Sequence, residues 1–182
     1  MVVAGLLACT LALALPPGDD VRSSIAALNA PDARVRGTDS RTRDWIWAGA
    51  SGSETFRSLL ARLAASDVIV YIVTVDRISG GAAGQIYFVT ATPTARYLRI
   101  ELVADGSQAA MVALVGHELQ HAVEIADAPQ VRGRQSLAML YLAMKENSFS
   151  GSRQFDSAAA RSTETRVRRE FAAHRPVATS SW

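Results

Sequence analysis

The heptapeptide Gly116-His117-Glu118-Leu119-Gln120-His121-Ala122 constrains this chain more than any other stretch, because it inserts three ionisable side chains into a long apolar run. Two histidines four residues apart project from one face of a helix, about one turn from each other. Their imidazole nitrogens can converge on a zinc ion, and Glu118 lies beside that face, within reach of a water molecule that the metal activates. The motif therefore predicts a zinc site with His117 and His121 as ligands.

The apolar surroundings of the motif strengthen this interpretation. The preceding residues, 109 to 115, are apolar all round, which is typical of a helix buried in the middle of a domain. A buried polar group without a partner costs on the order of 1–3 kcal/mol, and a metal ion satisfies all three side chains at once. The alternative is a pair of histidines that are hydrogen-bonded or at the surface and hold no metal.

Length and composition fit one folded domain with little affinity for nucleic acid. The chain has 182 residues, of which 49% are hydrophobic, and this is enough to build a core without disulfide bonds. Its formal net charge is only +2, with acidic and basic residues interspersed. We therefore predict no nucleic-acid partner.

The N-terminus has the character of an export signal. Residues 1–15 are apolar, too short for a permanent transmembrane span, and followed directly by Pro16-Pro17-Gly18. Either this segment is cleaved as a signal peptide, or Cys9, the only cysteine, is lipidated and anchors the protein. The sequence thus predicts a secreted or periplasmic protein, or a lipoprotein. The alternative is an apolar N-terminal strand or helix packed on the domain.

The rest of the chain divides into a linker, a domain and a tail. Residues 16–43 are rich in proline, glycine, serine and charge, which predicts a linker or a pro-segment. We place the folded domain at residues 44–175 and a flexible tail at residues 176–182.

Hydrophobic periodicity predicts an α+β fold. Apolar residues at helical spacing indicate a helix over residues 53–65, and runs rich in β-branched and aromatic residues indicate strands at 67–75, 85–92 and 96–103, the last two as a hairpin. The remaining helices are expected at 107–126, 134–146 and 157–173. We therefore expect a small, mainly antiparallel sheet of about three strands, packed on the central helix and on further helices.

A catalytic zinc site needs a third protein ligand. No histidine closely follows His121, and His174, near the end of the chain, is interpreted as a surface residue. Glu124 shares the face of the two histidines but lies about 10 Å along the helix from His117, so we expect it to orient His121. Glu164 falls in line with the apolar residues of the last helix, where it either binds the metal or pairs with an arginine. Glu164 is thus favoured over Glu124.

These features together resemble a known class of enzymes. The His-Glu-x-x-His helix after a small sheet, with a glutamate on a later helix, resembles the gluzincin metallopeptidases. Residues 66–71, 96–100 and 116–122 are similar to small bacterial secreted proteins that are predicted zinc peptidases, and the likeness covers about residues 53–170. The resemblance implies a zincin-like fold, His117, His121 and Glu164 as zinc ligands, and Glu118 as the general base.

The sequence accordingly predicts an enzyme that hydrolyses peptide bonds in a peptide or protein substrate. In this reaction zinc activates a water molecule and Glu118 takes its proton. The alternative function is that of a non-catalytic binding or envelope protein that retains the zinc site for stability.

Overall fold

The structure, a computed structural model, describes residues 33–146 and 156–174, together with Ser23 and Ala30. The predicted signal segment and tail, residues 1–15 and 176–182, lie outside these residues. The described elements, in chain order, are β1 (Val35–Gly37), α1 (Ser40–Gly52), α2 (Glu54–Ala64), β2 (Val68–Val75), a short 3-10 turn (Ser79–Gly81), β3 (Gly84–Ala91), β4 (Arg96–Val103), α3 (Gln108–Ala126), α4 (Arg134–Glu146) and α5 (Ala158–His174). The α+β class predicted from the sequence is confirmed.

The sheet has four strands in the order β1-β2-β4-β3 and is mixed. β2 pairs in parallel with both β1 and β4, and β3 pairs antiparallel with β4 along the edge. The hairpin of β3 and β4 is confirmed, but the prediction of a mainly antiparallel sheet of about three strands was wrong, because two of the three strand pairings are parallel. After the hairpin, β4 enters the sheet beside β2, and β3 is left at the outer edge.

The fourth strand comes from the segment predicted to be a linker. β1 is only three residues long, and Val35 pairs with Val70 of β2. Immediately afterwards Asp39 caps α1, where its carboxylate accepts a hydrogen bond from the backbone N–H of Thr42. The folded part therefore begins before residue 44, and a strand this short leaves no periodic pattern in the sequence.

The central helix α3 packs against helices on one side and the sheet on the other. Ser107 caps its N-terminus as predicted, and Val115, Leu119 and Ile125 are fully buried. Gly116 lets α5 approach closely, since a Cβ there would lie 3.0 Å from Val167 Cγ2. In residues 33–146 and 156–174, none of the helices is long and apolar enough to cross a membrane.

Arg96, the first residue of β4, fixes the C-terminal end of α3. Its side chain is 1% exposed, and its guanidinium donates hydrogen bonds to the carbonyls of Ile125 at 2.6 Å and Ala128 at 2.9 Å. The same guanidinium pairs with the carboxylate of Asp67 at 2.6 Å. A cation at this position satisfies the free carbonyls that every helix leaves at its C-terminus. The helix that carries the motif is thereby fixed to the sheet.

Candidate metal centre

His117 and His121 lie side by side on α3. Their ring centroids are 5.0 Å apart, and the ring planes meet at 75°. His121 is buried, and the side chain of His117 is 13% exposed. Together with Asp156 they form a group in which one ligand atom from each residue lies within 4.8 Å of the others. Two imidazoles and a carboxylate are a donor set that zinc accepts.

Asp156 directs one carboxylate oxygen at the histidines. Its Oδ1 lies 3.6 Å from Nε2 of His117, while its Oδ2 pairs with Arg161 Nη1 at 3.2 Å. Oδ1 is buried and has no hydrogen-bond partner among the residues that the structure describes. Ligand atoms bound to zinc at ~2.0–2.1 Å in a tetrahedron lie about 3.3 Å apart. The spacing of this oxygen and this nitrogen therefore fits a shared metal ion.

Glu124 holds His121 in place, as the sequence predicted. Its Oε2 lies 2.8 Å from Nδ1 of His121. Its other oxygen, Oε1, accepts a hydrogen bond from the hydroxyl of Ser157 at 2.5 Å. Ser157 in turn caps α5 by accepting a hydrogen bond from the N–H of Ala160. Glu124 thus connects the ring of His121 to the start of the last helix, next to Asp156.

Glu164 contacts the site from another direction. Its Oε2 lies 3.3 Å from Nδ1 of His117, an ion-pair distance without the alignment of a hydrogen bond, and its Oε1 accepts a hydrogen bond from Arg168. The side chain is 31% exposed. Glu164 borders the buried stripe of α5 and is not part of it; the buried residues are Ala160, Thr163, Val167 and Phe171. It meets the nitrogen of His117 that faces away from Asp156.

Glu118 is buried against the first residue of the edge strand. Its side chain is 4% exposed, and a Cβ on Gly84 of β3 would lie only 2.5 Å from Glu118 Oε1. Burial raises the pKa of Glu118 to about 7. A carboxyl group with this pKa can both accept and return a proton near neutral pH. The structure therefore places a potential general base beside the histidines and at one end of β3.

The two histidines differ in their electrostatic surroundings. Burial and the neighbouring His121 lower the pKa of His117, which favours its neutral form. Burial also acts to lower the pKa of His121, but the hydrogen bond with Glu124 and the charges of Glu118, Glu124 and Asp156 outweigh it, so the pKa of His121 is raised. The ring of Tyr141 on α4 packs edge-on against His121, with ring centroids 5.7 Å apart. The histidines are thus held between α4, α5 and their own helix.

Asp156 is the site residue that sequence reasoning missed. It precedes α5 and belongs to no periodic pattern, so the only signal was an acidic residue directly before a serine able to cap a helix. His174, by contrast, is exposed at the end of α5, as interpreted from the sequence.

No protein-family model matches the chain, and no curated protein and no solved structure is significantly similar to it.

Proposed function

We propose that the chain is a zinc-dependent peptidase with a zincin-like arrangement of its central helix and sheet. One observation carries this proposal: two histidines and a carboxylate converge on one point, and the buried carboxyl group of Glu118 lies directly beside them. This combination of metal ligands and a general base supports hydrolysis better than metal storage, which needs no base.

The metal would be held by His117, His121 and a carboxylate from the segment that enters α5. The unpartnered Oδ1 of Asp156 and the lowered pKa of His117 suit a cation there. When bound, zinc supplies Lewis acidity, which lowers the pKa of water and polarises a substrate carbonyl.

Glu118 would transfer a proton from the attacking water to the leaving group. Its carboxylate accepts a proton from the attacking water and then delivers it to the nitrogen of the leaving amine. Burial raises the pKa of Glu118, which makes its carboxylate a stronger base toward that water. Burial against Gly84 keeps the carboxylate in one position during both transfers.

The edge strand β3 favours an extended peptide as the substrate. β3 lies at the end of the strand order, so one of its edges has no neighbouring strand among the described elements. Its first residue, Gly84, is in contact range of Glu118, and its exposed residues include Tyr87 and Val89. A peptide that adds to β3 through main-chain hydrogen bonds would pass the general base at that end.

The test is the substitution Glu118→Gln in the full chain, assayed on a mixture of unstructured peptides by mass spectrometry. We expect zinc content and melting temperature to stay near those of the wild type, while cleavage falls at least 100-fold. Gln120→Glu, two residues along the helix, is the matched control and should cleave normally. Wild-type protein that carries zinc but cleaves none of the peptides would reject the peptidase proposal and favour the second candidate.

That second candidate is a non-catalytic protein in which zinc serves stability. It is favoured by one observation: Asp156 lies next to the start of α5 and both histidines lie on α3, so a metal would join the two helices. Under this function Glu118→Gln would change neither zinc content nor any binding activity.

We also propose that the protein acts outside the cytoplasm, as a secreted or periplasmic protein or a lipoprotein. This rests on residues 1–15 alone. The mass of the mature N-terminus distinguishes cleavage, lipidation at Cys9 and retention of the segment, and an intact N-terminus on cytoplasmic protein would reject the proposal.

A further inference from the structure

We infer that Asp156, and not Glu164, is the third protein ligand of the metal. Glu164 and Glu124 instead face the Nδ1 nitrogens of His117 and His121, respectively, and orient these rings. This inference rests on the proposed zinc function and specifies its metal site. Three observations on the described residues lead to it.

The first observation is that the two nitrogens of His117 face different carboxylates. Nε2 lies 3.6 Å from Asp156, and Nδ1 lies 3.3 Å from Glu164. The two imidazole nitrogens bond in diverging directions within the ring plane, so a group facing Nδ1 cannot share a metal ion with Nε2. Only one of the two carboxylates can be the ligand.

The second observation comes from His121 and decides which nitrogen binds. Its Nδ1 is engaged by Glu124 at 2.8 Å, which leaves Nε2 for a metal. If His117 binds in the same way, each histidine has a carboxylate behind it at Nδ1. A metal-bound histidine almost always has such a partner on its other nitrogen, because the partner fixes the tautomer and the orientation of the ring. Glu164 then faces Nδ1 of His117 as Glu124 faces Nδ1 of His121, at 3.3 Å and without the alignment of a hydrogen bond.

The third observation concerns which carboxylate has a free oxygen. Oε1 of Glu164 is bound by Arg168, and its Oε2 faces Nδ1 of His117, the nitrogen on the other side of the ring from Asp156. Oδ1 of Asp156 is buried and has no hydrogen-bond partner within the described part of the chain. An ion pair with Arg161 accounts for Oδ2 only. A metal ion would account for Oδ1.

Asp156 is also held firmly enough to serve as a ligand. Arg161 forms an ion pair with its Oδ2 at 3.2 Å and donates a hydrogen bond to its backbone carbonyl at 3.1 Å. The next residue, Ser157, is tied to Glu124 at 2.5 Å. The carboxylate that orients His121 thus also anchors the residue beside the third ligand, so α3 and the segment that enters α5 contribute to one set of ligands.

The test places a thiol at each candidate position and uses Co²⁺ as a spectroscopic substitute for zinc. Asp156→Cys and Glu164→Cys are made in a Cys9→Ser background, so that each protein has a single cysteine. A thiolate bonded to Co²⁺ gives an intense charge-transfer band in the near ultraviolet. We expect this band with Asp156→Cys and its absence with Glu164→Cys.

Amide variants give an independent measurement in the same protein. Zinc affinity is measured by competition with a chromophoric chelator for Asp156→Asn and Glu164→Gln. Loss of a supporting carboxylate typically costs 10–100-fold in affinity, and we expect Asp156→Asn to lose at least ten times more than Glu164→Gln. Circular dichroism of the metal-free proteins shows whether each variant folds.

The outcomes separate this inference from the proposed function. A charge-transfer band with Glu164→Cys alone, or a larger loss of affinity in Glu164→Gln than in Asp156→Asn, overturns the assignment of Asp156 and leaves the zinc function intact. Wild-type protein that binds neither Zn²⁺ nor Co²⁺ overturns both.

Discussion

The carboxylate of Glu118 lies directly against the backbone of Gly84, so closely that a Cβ at position 84 would be 2.5 Å from Oε1. The contact joins the middle of α3 to the first residue of β3. Position 84 therefore needs a glycine because of this close approach of the Glu118 side chain.

Gly84→Ala should displace Glu118 and reduce activity more than stability. The added methyl group overpacks a filled space, which typically costs about 1–3 kcal/mol, and it moves the proposed base away from its substrate. We expect peptide cleavage to fall at least 10-fold with zinc affinity near that of the wild type. Gly133→Ala is the control, since a Cβ there meets nothing within 4 Å. Equal activity in the two variants would show that the contact does not position Glu118.

Arg96→Met should be among the most destabilising single substitutions. The guanidinium is buried, and its removal leaves the carboxylate of Asp67 and several carbonyls at the end of α3 without their donor. The Asp67 side chain is 36% exposed and can be rehydrated, but each buried carbonyl left without a partner costs about 1–3 kcal/mol. Urea unfolding measures the loss. The control is Arg99→Met, in which the lost pair with Glu101 involves an exposed arginine and should cost less than about 1 kcal/mol.

Regular elements were predictable from the sequence because their patterns are local. In β4, for example, Leu98, Ile100 and Leu102 are buried and alternate with residues that are not, and the pattern alone identified the strand. Whether neighbouring strands run parallel or antiparallel leaves no such local pattern in the sequence. Whether β2 pairs with β3 or with β4 depends on the whole sheet, which explains the wrong prediction of its arrangement.

The part of the candidate site that lies on a single helix was likewise predictable from the sequence. His117, Glu118 and His121 are fixed relative to one another by a single helix, so their spacing contains the geometry. The third carboxylate comes from a segment that is distant in the sequence. On α5, the buried Thr163 and the partly exposed Glu164 are adjacent residues. The helical period of 3.6 residues does not show which of two adjacent residues is buried. Asp156 lies outside any periodic segment, and only the folded chain brings it to His117.

Glu170 should make stability depend on pH in the acid range. Burial opposes ionisation, but hydrogen bonds from Ser53 and Thr55 at the start of α2 outweigh it, and the pKa of Glu170 is lowered below 4.5. Because the folded-state pKa is lower than the unfolded one, the stabilisation is complete above the unfolded pKa and is lost as pH falls through the folded pKa.

The difference in melting temperature between wild type and Glu170→Gln measures this contribution. We expect it to be constant from pH 7 down to about pH 5 and to shrink below about pH 4.5. Asp39 and Asp67 also have lowered pKa values, and comparison with the variant at each pH cancels their contribution. A difference that does not change across this range would contradict the role of Glu170 as a charged cap.

Zinc should stabilise the fold, because its proposed ligands join α3 to the segment that enters α5. A ligand that binds only the folded state adds about 2.7 kcal/mol at a concentration 100 times its dissociation constant. The melting temperature of metal-free protein should therefore rise on addition of zinc and fall again with excess chelator. His121→Ala should abolish the rise. The exposed His174 lies outside the site, so His174→Ala should respond like the wild type. A rise of the same size in His121→Ala would mean that zinc acts elsewhere on the chain.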